Sequence, residues 1–197
     1  MKKHNKIFNF TLTTNGVLID EDVIEFTNRE MGNVVLSMDG RRETHDRMRK
    51  NKSGGGTYDA IMDNFKALVN ARTTDDPAIA EGRKSSEYYM RGTYTAYNKD
   101  FAADVLAMAD LGFRETSIEP VVASPDAPYA LKEEDLPQLF EEYEKLALEM
   151  LKREEAGEGF SFYHYTVDLT GGPCIYKRVA GCGVATEYLA VTPTGDL

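Results

Sequence analysis

Apolar residues follow two patterns along the chain, and these patterns alternate. Short apolar or alternating runs that end in polar residues are typical of strands whose tips are polar. Four such runs predict strands at 7–12, 34–36, 88–97 and 116–122. Between the runs, apolar residues recur at intervals of three and four, which predicts amphipathic helices. These helices span 20–31, a segment containing 61–69, 101–111 and 132–155.

Residues that favour helix ends support these limits. Thr57 is placed to cap the helix containing 61–69, while Gly32 and Gly112 follow the ends of two others. Pro137 fits the first turn of the last helix. The first helix is expected to turn these residues inward: Val23, Ile24, Phe26 and Met31. The last helix is expected to place these residues on one face: Leu136, Leu139, Phe140, Tyr143, Leu146, Ala147 and Met150.

Strands that alternate with helices predict the α/β class, with right-handed βαβ units and a parallel sheet that is open or closed into a barrel. The continuous run at 34–36 favours a strand buried on both faces. From Gly157 the helical period ends and glycine, proline and aromatic residues take over, so a second small domain is expected near Gly171. Strand patterns close to both termini lead us to expect an internal piece of a larger protein.

Composition narrows the class of function. The 33 acidic and 23 basic residues give a formal charge of −10, which disfavours a general nucleic-acid surface. No apolar run reaches the roughly 20 residues that cross a bilayer, and the polar start is unlike a signal peptide, so we expect a cytoplasmic protein without membrane partners. The sequence does not predict an oligomeric state.

Candidate chemistry lies at the strand tips, because ligands of parallel α/β folds bind at the carboxyl ends of strands. The polar residues there are Thr13, Thr14, Asn15, Ser37, Asp39, Arg91, Thr93, Thr95 and Glu119. Hydroxyls, an amide, carboxylates and a guanidinium suit a zwitterionic, hydroxyl-rich small molecule. The alternative is structural: Asn15 and Asp39 each precede glycine in a turn, and Arg91 forms a surface ion pair.

Other polar motifs carry weaker signals. The basic stretch 41–52 could hold an acidic peptide or phosphate, although such runs are usually solvated. The glycine run 54–56 precedes a helix but lacks the lysine of a P-loop. His4, His45 and His164 are scattered without zinc-ligand spacing, and no G-x-S-x-G nucleophile elbow occurs, which disfavours zinc and serine hydrolases.

The only cysteines, Cys174 and Cys182, are separated by seven intervening residues and do not form a disulfide framework. Two ligands cannot close a metal site, so further ligands are expected beyond Leu197. Thiolates grouped in this way favour an iron-sulfur cluster or zinc, and two inert buried cysteines are the alternative.

Four short sequence motifs, in this order along the chain, resemble motifs of radical S-adenosylmethionine (AdoMet) enzymes that carry a SPASM domain. They are Thr-Thr-Asn-Gly at 13–16, Val-Leu-Ser-Met-Asp-Gly at 35–40, His-Asp-Arg-Met-Arg at 45–49 and Arg-Gly-Thr-Tyr-Thr at 91–95. The segment 182–197 resembles the opening of the SPASM domain. Within the family, these motifs are most similar to those of maturases that install thioether crosslinks in six-cysteine (SCIFF) peptides, with anaerobic sulfatase-maturating enzymes as relatives.

The resemblance implies a partial (β/α) barrel over 1–160 and, over 161–197, a linker and the beginning of the SPASM domain. It implies AdoMet and [4Fe-4S] clusters as cofactors, and a 5′-deoxyadenosyl radical that abstracts hydrogen from a cysteine-rich precursor peptide. Ser37 and Arg91 are placed at AdoMet, with Asn15, Asp39 and Glu119 nearby. Cys182 is implied as an auxiliary-cluster ligand, and Cys174 as a further one.

One departure limits the expected activity. The C-x₃-C-x₂-C triad of the family is absent, so the chain alone is expected to be inactive. A non-enzymatic peptide-binding module and a sulfatase-maturating type of enzyme remain alternatives, as does a metal-independent barrel lyase or isomerase acting through Asp39 and Glu119.

Overall fold

The computed structural model describes residues 9–72, 87–166 and 194–195. The chain divides into two compact units, Met1–Tyr165 and Thr166–Leu197. Almost all described residues belong to the first unit. Within the described ranges, no helix is both long enough and apolar enough to cross a membrane.

The first unit alternates strands with helices along most of its length. The strands are β1 Thr11–Thr14, β2 Asn33–Ser37, β3 Glu87–Tyr94, β4 Glu115–Pro120 and β5 Ser161–Phe162. The α-helices are α1 Glu21–Glu30, α2 Arg42–Met48, α3 Tyr58–Ala71, α4 Phe101–Asp110 and α5 Leu136–Glu155. Short 3₁₀ turns lie at Glu133–Asp135 and Tyr163–Tyr165.

The five strands form one parallel sheet in the order β1-β2-β3-β4-β5. Neighbours in the sheet are also successive strands in the chain, as expected for βαβ units that progress in one direction. This arrangement confirms the predicted α/β class with a parallel sheet.

The helices pack on one face of this sheet. One apolar cluster joins Val34 and Leu36 of β2 and Met90 of β3 to Phe65 of α3 and Phe101 of α4, all of them buried. At about 25 cal/mol per Å² of apolar area, burying such side chains is the main stabilising term of the sheet-helix layer. A sheet with helices on a single face is the wall of a barrel rather than the middle of a doubly wound fold.

The opposite face is largely polar, and we call it the inner face. It is defined by residues that share register: Thr11, Thr13, Asn33, Val35, Ser37, Tyr89, Arg91, Thr93, Glu115, Ser117, Glu119 and Ser161. The prediction that β2 is buried on both faces is confirmed: Val34 and Leu36 are buried against the helices, and Val35 is buried on the inner face between Asn33 and Ser37.

Several limits differ from the predicted ones. Helix α2 was not predicted, since it lacks an apolar stripe. In α5, Leu139 and Leu146 are buried as expected, but Leu136 and Phe140 are exposed. Phe26 in α1 is exposed as well.

Backbone contacts explain how α1, α3 and β3 are held together. Arg72, buried at the end of α3, donates hydrogen bonds to the carbonyl oxygens of Thr27, Met31 and Gly32 near the end of α1. It also donates to the carbonyl oxygen of Glu87 at the start of β3. Arg72 thereby adds donors to carbonyls at the C-terminal end of α1, including the Thr27 carbonyl, which also accepts from the Met31 amide.

Candidate functional site

The carboxyl half of the inner face carries a row of hydroxyls around one cation. Ser37 of β2 is in register with Arg91 of β3, which is in register with Ser117 of β4. Paired residues of neighbouring strands point to the same face, so Arg91 lies between two hydroxyl groups. Arg91 is exposed, and no hydrogen bond or ion pair joins its guanidinium to another residue in 9–72 or 87–166. The sequence predicted Ser37 and Arg91 and missed Ser117.

The next row toward the strand tips pairs Thr93 with Glu119. Glu119 accepts a hydrogen bond from Ser117 Oγ at 2.9 Å and pairs with His164 Nε2 at 2.9 Å. Burial alone would raise the pKa of Glu119, but these two hydrogen bonds and the charge of Arg91 hold it below its usual value. The structure therefore brings Glu119 close to Arg91 on the inner face, as an ionised carboxylate.

Asp39, just past β2, is already bound by neighbouring groups. Its carboxylate accepts two hydrogen bonds from Arg49, at 2.7 and 2.9 Å, and one from the Thr93 amide at 3.0 Å. Its side chain is only 4% exposed. The predicted role of Asp39 at a ligand stays a prediction, and its visible contacts fix the loop after β2 against β3.

Gly92 makes this close approach possible. A Cβ atom at this position would collide with the Met38 carbonyl oxygen and would lie 2.9 Å from the Asp39 Cα. The Met38 amide also donates to the Arg91 carbonyl at 3.0 Å, so the loop continues the β2–β3 ladder past the end of β2. The absence of a side chain at Gly92 thus places Asp39 beside Thr93.

The His-Asp-x-x-Arg phrase holds α2 and α3 around the same loop. His45, fully buried, accepts from the Asp39 amide at 3.4 Å through Nδ1 and contacts Thr57 Oγ1 at 3.0 Å through Nε2. Burial lowers the pKa of His45, which favours the neutral ring. Asp46 accepts from the Thr57 and Tyr58 amides, both at 2.8 Å. Thr57 is the N-cap residue of α3, as predicted, but its side chain makes no capping hydrogen bond, and the Asp46 carboxylate accepts from the first amides of the helix.

Asn15 and Thr95 participate in local turns. The Asn15 side chain accepts from the Val17 amide at 3.3 Å and is exposed. Thr95 is buried, and both its amide and its hydroxyl donate to Asn98 Oδ1, at 2.8 and 2.9 Å. The proposed ligand role of Asn15 stays a prediction.

In the described segment 41–52, three of the six cations of the basic stretch form ion pairs: Arg41, Arg42 and Arg49. Arg41 pairs with Asp104 at 2.7 Å and with Asp100 at 2.9 Å, and Arg42 pairs with Asp59. In the glycine loop, the Ser53 and Gly55 amides donate to Asn51 Oδ1. These amides have partners already, which weakens the interpretation of the loop as an anion site.

His164 and Tyr143 are site residues that the sequence interpretation did not select. His164 follows β5, and Tyr143 lies in α5, where its hydroxyl contacts His164 Nδ1 at 2.8 Å. His164 could have been found by treating 161–162 as a fifth strand and examining its tip. Tyr143 was expected to be only a core residue.

No described residues form a metal site of three or more His, Cys, Asp or Glu side chains. Cys174 and Cys182, the predicted cluster ligands, lie outside the described residues.

Comparisons with known proteins add a family context to this geometry. No family model matches the chain. A cysteine-type anaerobic sulfatase-maturating enzyme from Clostridium novyi (strain NT) is 35% identical over 103 residues, which make up 50% of this chain and 27% of that enzyme. The structure of anSMEcpe with bound AdoMet and the Kp18Cys peptide matches with a TM-score of 0.65 and 21% identity. It covers 82% of this chain and 42% of that one.

A second structure, anSMEcpe with bound AdoMet, has the same TM-score at 20% identity, over 83% of this chain and 42% of that one. The fold is the partial radical SAM-type β/α barrel of these structures. The chain thus spans less than half the length of these matched proteins. It is similar to a radical SAM anaerobic sulfatase-maturating enzyme, in agreement with the radical SAM family named from its sequence motifs. The SPASM domain and the SCIFF type of maturase stay predictions.

Proposed function

We propose that this chain forms the AdoMet-binding wall of a radical SAM maturase that crosslinks a cysteine-rich ribosomal peptide through thioether bonds. One observation carries the proposal: an exposed guanidinium lies between two hydroxyls on the inner face of a radical SAM-type barrel wall. The bound AdoMet named for the matched structures supports the choice of ligand.

The inner face fits the functional groups of AdoMet. Arg91 would bind the carboxylate through paired hydrogen bonds, with Ser37 available as a further donor. Glu119 would accept hydrogen bonds from ligand hydroxyls, as carboxylates at strand ends do with ribose. Asn15 and Asp39 follow the carboxyl ends of β1 and β2, and we propose that they lie near the same ligand. Asp39 would act by fixing the loop after β2. When bound and reductively cleaved, AdoMet supplies the 5′-deoxyadenosyl radical that removes a hydrogen atom from the peptide.

The cluster assignment rests on the sequence resemblance. Cys182, with Cys174 as a further ligand, would belong to an auxiliary [4Fe-4S] cluster in the unit Thr166–Leu197. The segments 1–160 and 161–197 would then be the barrel portion and the beginning of the SPASM domain. Since the cysteine triad for the AdoMet-cleaving cluster is absent from the sequence, activity is expected only from a polypeptide that supplies it.

A cysteine-containing peptide is the proposed partner. A matched structure named with the Cp18Cys peptide supports a peptide substrate, and the Clostridium novyi relative favours a sulfatase-type substrate as the second candidate. The similarity of the sequence motifs to those of SCIFF maturases favours the thioether reaction.

Mass spectrometry distinguishes the candidates. The complete polypeptide containing this chain, with its clusters reconstituted anaerobically, is incubated with AdoMet, a reductant and either a cysteine-rich precursor or a sulfatase-derived cysteine peptide. We expect 5′-deoxyadenosine together with a thioether in the precursor. Modification of the sulfatase peptide alone would establish the second candidate. If AdoMet is not cleaved under any of these conditions, the proposal fails and a non-enzymatic peptide-binding module is favoured.

A further inference from the structure

A chain of hydrogen bonds joins the outer helix layer to the inner face. Tyr143 of α5 contacts His164 Nδ1 at 2.8 Å, and His164 Nε2 contacts Glu119 at 2.9 Å. On its other oxygen, Glu119 accepts from Ser117 at 2.9 Å. These four residues come from α5, the turn after β5 and strand β4. This hydrogen-bond network therefore connects residues that lie 21 and 45 positions apart in the sequence.

The chemistry of the groups sets the direction of these hydrogen bonds. The ionised Glu119 carboxylate can only accept, so His164 Nε2 carries the proton of the neutral imidazole and Nδ1 accepts from the Tyr143 phenol. A neutral imidazole that accepts at Nδ1 carries its proton on Nε2, which then donates to Glu119. The Ser117 hydroxyl also donates to Glu119. Both carboxylate oxygens are thus held by donors from the protein.

Glu119 nevertheless remains accessible. Its side chain is 34% exposed, compared with 22% for His164. The carboxylate has more acceptor positions than the two that Ser117 and His164 occupy. It lies on the inner face one row beyond Arg91. A residue that is both fixed in orientation and open on one side is suited to recognise a ligand donor.

We propose that Tyr143 and His164 are positioning residues that orient Glu119 to accept hydrogen bonds from the ribose hydroxyls of the nucleoside ligand. The inference rests on the proposed function, because it takes AdoMet as the ligand. Its particular content is that a helix residue outside the sheet controls how tightly the ribose is bound. The groups that face His164 and Glu119 are Tyr143 from α5, Arg91 from β3, Ser117 from β4 and the Phe162 ring from β5.

The test compares ligands that differ by one hydroxyl group. Calorimetry measures the binding of S-adenosylhomocysteine and of its 2′-deoxy and 3′-deoxy analogues to the complete, cluster-reconstituted polypeptide. The variants are His164→Ala, His164→Gln and Tyr143→Phe. Tyr165→Phe is the control, because this hydroxyl donates to the Tyr143 carbonyl and lies outside the chain that ends on Glu119.

We expect His164→Ala to weaken S-adenosylhomocysteine binding roughly threefold to tenfold, the range for an ordinary hydrogen bond, because the lost contact acts on the ligand only through Glu119. For at least one deoxy analogue, His164→Ala should reduce the binding affinity much less, because that analogue lacks the hydroxyl that Glu119 binds. His164→Gln should recover most of the affinity, since an amide can accept from Tyr143 and donate to Glu119. Tyr143→Phe should fall between the two, and Tyr165→Phe should bind like the wild type.

Two results would overturn the inference while leaving the proposed function intact. One is wild-type affinity in both His164→Ala and Tyr143→Phe. The other is an equal loss for all three ligands, which is what general damage to the fold would produce. Failure of the wild-type protein to bind S-adenosylhomocysteine would instead remove the proposed function. If His164→Ala does not fold, His164→Gln and Tyr143→Phe decide the question with the same ligands.

Discussion

Replacing Arg49 by alanine tests whether the loop after β2 is held by a buried ion pair. The two hydrogen bonds from Arg49 to Asp39 measure 2.7 and 2.9 Å, and the Asp39 side chain is 4% exposed. Without Arg49, this carboxylate would be buried with only the Thr93 amide as a hydrogen-bond donor. Breaking a buried pair from one side typically costs 3–5 kcal/mol. Because the Arg49 side chain is 31% exposed, we expect the lower end, about 3 kcal/mol.

The assay is urea unfolding of purified protein, followed by far-ultraviolet circular dichroism. Arg42→Ala is the matched control in the same segment, since the Arg42 and Asp59 side chains are 57% and 70% exposed. An exposed pair contributes little, so this control should unfold close to the wild type. If Arg49→Ala is no less stable than Arg42→Ala, the Asp39–Arg49 pair does not hold the loop as argued.

Three further predictions follow from the same loop and from the inner face. Gly92→Ala should destabilise the protein by about 1–3 kcal/mol in urea unfolding, because a Cβ would push against the backbone at Met38; an unchanged midpoint would contradict the close approach. Asp46→Ala should cost about 1–2 kcal/mol by removing the α3 cap, and Thr57→Ser, which keeps its hydroxyl, should cost less. Since the pKa of Glu119 is lowered in the folded protein, its contribution is complete above the pKa of an unfolded glutamate and is lost as the pH falls through the lower folded value. The free energy of unfolding, measured at neutral and at acidic pH, should therefore fall less on acidification in Glu119→Gln than in the wild type. An equal fall in both proteins would refute this.

The sequence was sufficient for elements whose stability is local. The apolar spacing of α3 and α4 predicts helices near their observed positions, and the short apolar run at Val34–Leu36 predicts β2. Helix α2 has no apolar stripe. Its residues His45 and Asp46 instead contact Asp39 and the start of α3, which are contacts that only the folded chain provides. Similarly, the apolar spacing in α5 predicts which face of the helix is buried but not how wide the buried face is. Phe140 was therefore wrongly predicted to be buried.

The candidate site was predictable where residues follow apolar runs. Ser37 was selected because it follows an apolar run, and Arg91 and Glu119 were selected as polar residues of predicted strands; register brings all three to one face. Ser117 was missed because its position beside Arg91 is known only from the register of β3 and β4. His164 was missed because β5 has two residues and shows no period.

Calorimetric titration of AdoMet into the complete, cluster-reconstituted polypeptide tests the central claim most directly. Arg91→Ala removes the guanidinium between Ser37 and Ser117, whereas the control Arg114→Ala removes one that binds the Glu158 and Gly159 carbonyls. We predict that Arg91→Ala weakens AdoMet binding by about tenfold or more, the loss expected for a charge-assisted hydrogen-bonded pair, and that Arg114→Ala binds like the wild type. Equal AdoMet affinity in Arg91→Ala and the wild type would contradict the assignment of the inner face as the AdoMet site.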